Sequence, residues 1–113
     1  MTATHFDFLV IGAGPAGQHA AVEAAKYGKS VRIVERGDSA GGECVHRGTI
    51  PSKTLRETAL YLSGIQRRAA GWLREDLAGQ VSTVDSLMRR LDQVRTGHEG
   101  YLGDQLDRYG INL

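Results

Sequence analysis

The chain has 113 residues, with 14 Lys and Arg against 13 Asp and Glu and a formal net charge of +1. That near-balance excludes the basic field on which sequence-independent nucleic-acid binding depends, and the single cysteine, Cys44, excludes an intramolecular disulfide and an all-cysteine metal site. The length suits one modest domain and falls short of the roughly 200–250 residues that an α/β unit often takes.

Met1 to His5 contains no Lys or Arg, and the apolar run after it meets a glycine turn well before the ~18 residues of a membrane helix. With a lone thiol that suits a reducing compartment, the chain is expected to be cytoplasmic, with neither membrane nor nucleic acid as a partner. Phe6 to Ile11 is almost continuously apolar, which predicts a strand buried on both faces of a parallel sheet. Pro15 opens an alanine-rich helix running to Tyr27, with Gly28 at its C′ position. Ser30 to Val34 follows as a second strand ending at Glu35, so the opening is a βαβ unit whose crossover should be right-handed.

After a glycine-rich loop, Leu55, Ala59, Leu62, Ile65 and Ala69 recur at helical spacing. Gly71 to Gln80 reads as a connection, and a second amphipathic helix starts near Val84 with Leu87, Met88, Leu91, Val94, Leu102, Leu106 and Tyr109 along its apolar line. Gly97, Gly100 and Gly103 interrupt it at about 1 kcal/mol each relative to Ala, which leaves room for a bend or break. Gly110 ends the helix, and Ile111-Asn112-Leu113 reads as the first residues of a third strand. Two parallel strands cannot make a sheet covered on both faces with an adequate core, so the expectation is an amino-terminal part of a longer polypeptide.

Two segments carry chemistry. In Gly12-Ala13-Gly14-Pro15-Ala16-Gly17 the first glycine permits a tight strand-to-helix turn, the second admits a pyrophosphate to the backbone, and the third lets helix and strand pack closely. The helix that follows offers free N–H groups and a positive dipole end to phosphates. Glu35 follows Gly17 at close to the ~20-residue interval expected of a ribose-binding carboxylate. It would accept hydrogen bonds from ribose hydroxyls and repel a 2′-phosphate, which selects FAD or NAD over NADP. Arg36 beside it lies over the adenine in the favoured reading, favours a 2′-phosphate in a second, and is a solvated loop charge in a third.

The second segment is Gly41-Gly42-Glu43-Cys44-Val45-His46-Arg47-Gly48-Thr49-Ile50-Pro51-Ser52-Lys53. Together with the first it resembles the start of the FAD-dependent pyridine nucleotide-disulfide oxidoreductases, in which this stretch normally carries a Cys-x-x-x-x-Cys pair. Here Thr49 stands at the second cysteine. A hydroxyl offers no accessible thiolate, so Thr49 cannot form a disulfide with Cys44 or reduce a disulfide by exchange. Within the family, Cys-x-x-x-x-Thr with a histidine two residues after the cysteine resembles the soluble pyridine nucleotide transhydrogenases, flavoproteins that move a hydride between NADPH and NAD⁺ without a thiol step.

The resemblance implies FAD as cofactor, NADPH and NAD⁺ as substrates of the full-length protein, and a homo-oligomer when complete. It implies that Gly41, Gly42, Glu43, Cys44, Gly48 and Thr49 run beside the cofactor along with Gly12, Gly14, Pro15, Ala16, Gly17, Glu35 and Arg36. Lys53 is implied near the reactive face of the flavin ring, where a cation stabilises the reduced form. Cys44 reads as a small residue packed on the flavin, with a redox-sensitive thiol as the alternative; His46 could orient something near the site or simply sit on the surface. No catalytic residue or metal ligand is assigned, since His5, His19 and His98 show no ligand spacing. Arg67, Arg68, Arg74, Arg89 and Arg90 read as solvated helix faces.

The expected fold class is α/β: a Rossmann-type FAD-binding βαβ unit followed by a helical hairpin. Residues 1–113 are read as a partial FAD-binding domain, with 1–53 forming the βαβ unit and flavin-contacting segment and 54–110 the hairpin. Alternatives are a dihydrolipoamide dehydrogenase or mercuric reductase relative that has lost its second cysteine, a non-enzymatic NAD-binding module, and an inactive degenerate fragment.

Overall fold

The structure is a computed structural model that describes residues 5–69 and 83–113. The connection read at Gly71 to Gln80, the extreme amino terminus and Arg74 lie outside the described residues. The elements in chain order are β1 (Phe8–Ile11), α1 (Pro15–Lys26), β2 (Val31–Val34), α2 (Gly42–His46), α3 (Thr49–Ala69) and α4 (Thr83–Arg108). β1 and β2 pair in parallel with Phe8 opposite Val31 and Ile11 opposite Val34. This is the βαβ unit and helical hairpin that the periodicities predict.

Local chemistry accounts for each boundary. The strands enter the sheet side by side because the Asp7 carboxylate accepts from both the backbone N–H (2.8 Å) and the hydroxyl (2.9 Å) of Ser30. Pro15 takes the first position of α1, where a missing N–H removes only a donor that has no intrahelical partner. The helix closes at Tyr27, and the following Gly28 adopts φ 72°. α4 ends in the same way: the Gly110 N–H donates to the Asp107 carbonyl (2.9 Å) and the Ile111 N–H to the Leu106 carbonyl (3.0 Å). The chain then extends along β2, where Asn112 bridges Arg32 in parallel and its carbonyl accepts from the Ile33 N–H at 3.0 Å. The third-strand reading of the last residues is therefore met by one bridge.

The core lies on one side of this sheet. Val10, Val31 and Ile33 point into it, α1 adds Ala21 and Val22, and Leu106 and Ile111 close it from the end of α4. β2 alternates in keeping with a half-covered sheet, with Val31 and Ile33 buried and Arg32 and Val34 exposed. The two-sided burial expected of the first strand is not found. Only Val10 of β1 is buried, while Phe8, Leu9 and Ile11 are 41%, 55% and 86% exposed. The physical reason is coverage: the core packs against Val10, Val31 and Ile33 on one face, while Leu9 and Ile11 point to the other, where Arg32 lies against the Phe6 ring at 5.6 Å.

The hairpin is antiparallel. Lys53, Thr54, Glu57 and Thr58 at the start of α3 share a shallow groove with Arg90 and Val94 of α4, and His46, before α3, meets Glu99 further along α4. The glycines leave no break, for α4 is continuous over 26 residues. Leu91, Leu102 and Leu106 anchor it, and that packing outweighs about 1 kcal/mol per glycine. An added Cβ at Gly97 or Gly100 would meet no atom within 4 Å. Gly97→Ala and Gly100→Ala should therefore each stabilise the fold by about 0.5–1 kcal/mol, read as a rise in the urea midpoint. A lowered midpoint would show that these positions are filled by a neighbour.

Candidate dinucleotide-binding site

The site is organised around the buried Ala13 peptide, in the turn between β1 and α1. Its N–H donates to Glu35 Oε2 at 2.6 Å. Its carbonyl accepts from Gln18 Nε2 at 2.5 Å and from the Gly41 N–H at 2.8 Å. One residue thus ties together the glycine turn, the end of β2, the first helix and the start of the second segment.

Two glycines permit the approach of these pieces. A Cβ on Gly17 would stand 2.0 Å from the Gly12 carbonyl oxygen and 3.1 Å from Val10 Cγ1, so only glycine lets α1 press against β1 here. Gly42 has φ 57°, and a Cβ on it would come 2.9 Å from Gly14 Cα. The second segment therefore lies directly against the glycine of the first.

What remains open is as informative. No side chain caps the amino terminus of α1 and its first turn carries no acidic residue. A Cβ at Gly12 or Gly14 would meet nothing within 4 Å. Uncapped amides, the positive end of the helix dipole and clear space over two glycines form a cradle of the shape and charge that a pyrophosphate needs.

A polar cleft of about 280 Å³ is lined by Glu35, Arg36, Gly42, Glu43, His46 and Arg47 among others. A second, more apolar cleft of about 330 Å³ is lined by Pro15, His19, Gly41, Cys44, Ile50 and Tyr101 among others. Glu35 is held below the ordinary carboxylate range, first by the Gly37 N–H (2.9 Å) and then by the Ala13 N–H. It is ionised at neutral pH and presents an acceptor at the cleft.

The expected site residues fall into groups. Gly12 to Gly17, Glu35, Gly41 and Gly42 form one constellation, with Arg36 and Glu43 on its polar side and Cys44 on its apolar side. Gly48 ends α2, its N–H donating to the Glu43 carbonyl at 2.6 Å, and exposed Thr49 starts α3. Lys53 lines neither of the two clefts described above and sits exposed on the α3–α4 groove. Ala13 and Gln18 were not singled out by sequence reasoning. Their only signal is a buried, small residue inside the glycine turn and a polar side chain on the inner face of α1.

A parallel βαβ unit, a glycine cradle and a carboxylate at the end of the second strand define a dinucleotide-binding Rossmann-type module. The chain belongs to the pyridine nucleotide-disulphide oxidoreductase family, whose sequence profile matches residues 6–108. It is 51% identical over 108 residues to the soluble pyridine nucleotide transhydrogenase of Mycobacterium bovis (strain BCG / Pasteur 1173P2), covering 96% of this chain and 23% of that protein. It is 59% identical over 56 residues to the soluble pyridine nucleotide transhydrogenase of Chromohalobacter salexigens, covering 50% of this chain and 12% of the relative. Among solved structures, the HOCl-induced flavoprotein disulfide reductase RclA from Escherichia coli superposes with a TM-score of 0.70 at 25% identity, covering 94% of this chain and 21% of that one. The chain thus spans about a quarter of the length of these curated transhydrogenases at most. No helix among the described residues is long and apolar enough to cross a membrane.

Two outcomes follow from the geometry. Gly17→Ala forces a Cβ into the Gly12 carbonyl, a backbone atom that cannot step aside, and should cost about 3 kcal/mol or more in urea unfolding; a loss under about 1 kcal/mol would contradict the packing described. Because the Glu35 pKa is lowered in the fold, its contribution is fully present above its unfolded-state pKa and is lost as pH falls through the lowered folded value. Asp7, lowered by the Ser30 backbone N–H and hydroxyl, acts in the same direction. Unfolding measured from neutral pH into the acid range should fall less steeply for Glu35→Gln than for the wild type, and an unchanged acid limb would rule out the carboxylate's role.

Proposed function

We propose that this chain forms the FAD-binding part of an NAD(P)⁺ transhydrogenase that moves a hydride between NADPH and NAD⁺ without a redox disulfide. The observation that carries the reading is the contact of Gly42 with Gly14, which joins the phosphate cradle to the segment bearing Cys44 and Thr49. A non-enzymatic NAD module would have no use for the second segment.

The residues present fit the group. The uncapped first turn of α1, with Gly14, Ala16 and Gly17, would hold the pyrophosphate through backbone N–H groups. Glu35 would accept from the ribose hydroxyls, and Arg36, in the same polar cleft, would lie over the adenine. Gly41, Gly42 and Glu43 would pass along the cofactor, and Cys44 would lie beside the flavin as a packing residue. Gly48 and Thr49 would complete that wall at the α2–α3 junction, and Lys53 would supply a cation toward the ring. A bound flavin supplies reversible acceptance of two electrons with a proton, the equivalent of a hydride.

Thr49 defines what this chain's own side chains leave out. With no thiolate at that position, Cys44 has no partner for dithiol exchange within these 113 residues, and in this reading electrons from NADPH pass to a second nicotinamide and not to a disulfide. The overall reaction balances as NADPH and NAD⁺ giving NADP⁺ and NADH. We assign residues 1–53 to the dinucleotide and flavin contacts and 54–110 to the hairpin that buttresses them. The nicotinamide-binding and self-associating parts belong in this reading to a polypeptide of the relatives' length, working in the cytoplasm.

The test uses the protein expressed as its gene encodes it. Anaerobic NADPH should bleach the flavin band, thio-NAD⁺ should restore it with formation of the reduced analogue, and a small disulfide substrate should not turn over. Restoration by a quinone alone, with no transfer to thio-NAD⁺, would replace this reading with that of a reductase relative lacking its second cysteine. Protein that retains no FAD after reconstitution would end both.

A further inference from the structure

His46 is half-buried in α2 and borders the polar cleft that also holds Glu35 and Gly42. Its Nδ1 lies 3.1 Å from Glu99 Oε1 on α4, in a pair whose side chains are 28% and 27% exposed. Arg95 Nε stands 3.8 Å from the same Glu99 oxygen, and Arg95 NH2 pairs with Asp92 at 3.1 Å. These carboxylate and guanidinium groups brace one another along successive turns of α4. The carboxylate 3.1 Å from Nδ1 favours the tautomer that carries its proton there, which leaves the acceptor lone pair of a neutral ring on Nε2. This is the logic by which outer-sphere carboxylates set histidine tautomers at other sites.

We propose that Glu99 is a positioning residue for the dinucleotide site, holding His46 so that Nε2 accepts a hydrogen bond from the adenosine half of the ligand. An acceptor suits a ribose hydroxyl or the exocyclic adenine amine and does not suit a phosphate, which has no hydrogen to give. Glu35 and His46 would then read the adenosine from two elements, the end of β2 and α2. The tie also gives the hairpin a role at the site, because a residue more than fifty positions beyond the cradle orients one of its walls. The inference rests on the dinucleotide reading above.

The test is FAD binding to the apo form of the protein expressed as its gene encodes it, followed by flavin fluorescence, with FMN as a probe that lacks the adenosine half. Glu99→Ala and His46→Ala should each weaken FAD by about 3- to 10-fold, the loss of one hydrogen bond. The double variant should be no weaker than either single one, and FMN binding should not change. Glu99→Gln should retain affinity within about twofold, since its amide oxygen can face the same ring nitrogen. In the wild type, the His46 Nε2 nitrogen resonance should shift on addition of FAD.

Equal losses for FAD and FMN would reveal a merely structural tie between α2 and α4 and overturn the proposal, as would undiminished FAD affinity in His46→Ala. A wild type that takes up no FAD would end the flavoprotein reading alone. The same variants titrated with ADP-ribose would then decide the present one: weaker binding in Glu99→Ala supports it, and equal binding overturns it.

Discussion

The backbone of Ala13 is the constraint on which the rest of this structure depends. It has no functional side chain, yet its N–H and carbonyl take three hydrogen bonds, from or to Glu35, Gln18 and Gly41. A buried peptide group left unpaired costs about 1–3 kcal/mol, so these partners are held in place by the cost of leaving it unsatisfied. Their common attachment fixes the end of β2, the inner face of α1 and the start of the second segment relative to the glycine turn. Gly17 allows this by removing the Cβ that would otherwise hold α1 away from β1.

From that arrangement the electrostatics of the site follow. The N-cap of α1 is Gly14, which has no side chain to cap it, and a Cβ at Gly12 or Gly14 would meet nothing within 4 Å. Glu35 is ionised against the backbone N–H groups of Gly37 and Ala13 and lines the polar cleft. An anion is favoured at the start of α1 and a hydroxyl donor at Glu35, the two groups that the proposed nucleotide diphosphate would present. The apolar cleft with Cys44 includes Pro15 of α1 and Gly41, whereas the polar one includes Glu35 and Gly42.

Sequence and structure part company where packing decides. The run Phe8-Leu9-Val10-Ile11 is apolar enough for a strand covered on both faces, but helices cover only one, and Ile11 stays 86% exposed. Hydrophobicity states what a residue can bury, not what arrives to bury it. Gly97, Gly100 and Gly103 weaken a helix locally, yet α4 runs through them because Leu91, Leu102 and Leu106 hold it at its middle and end. The short α2 within the glycine-rich loop has too few residues for periodicity to show. His46, isolated in the sequence, acquires a partner from α4.

The sequence by itself determined the βαβ unit, the hairpin, the glycine cradle with Glu35, and the absence of a second thiol at Thr49. These are local properties: strand and helix periods, a turn that requires glycine, and the identity of one side chain. Only the tertiary structure decided that Gly42 abuts Gly14, that Ala13 and Gln18 hold the site together, that Lys53 lies on the α3–α4 groove, and that Glu99 meets His46. Each of these joins residues distant along the chain through van der Waals contact, a hydrogen bond, an ion pair or a shared groove surface. Such contacts depend on where whole elements come to rest, and no spacing within a single element encodes that.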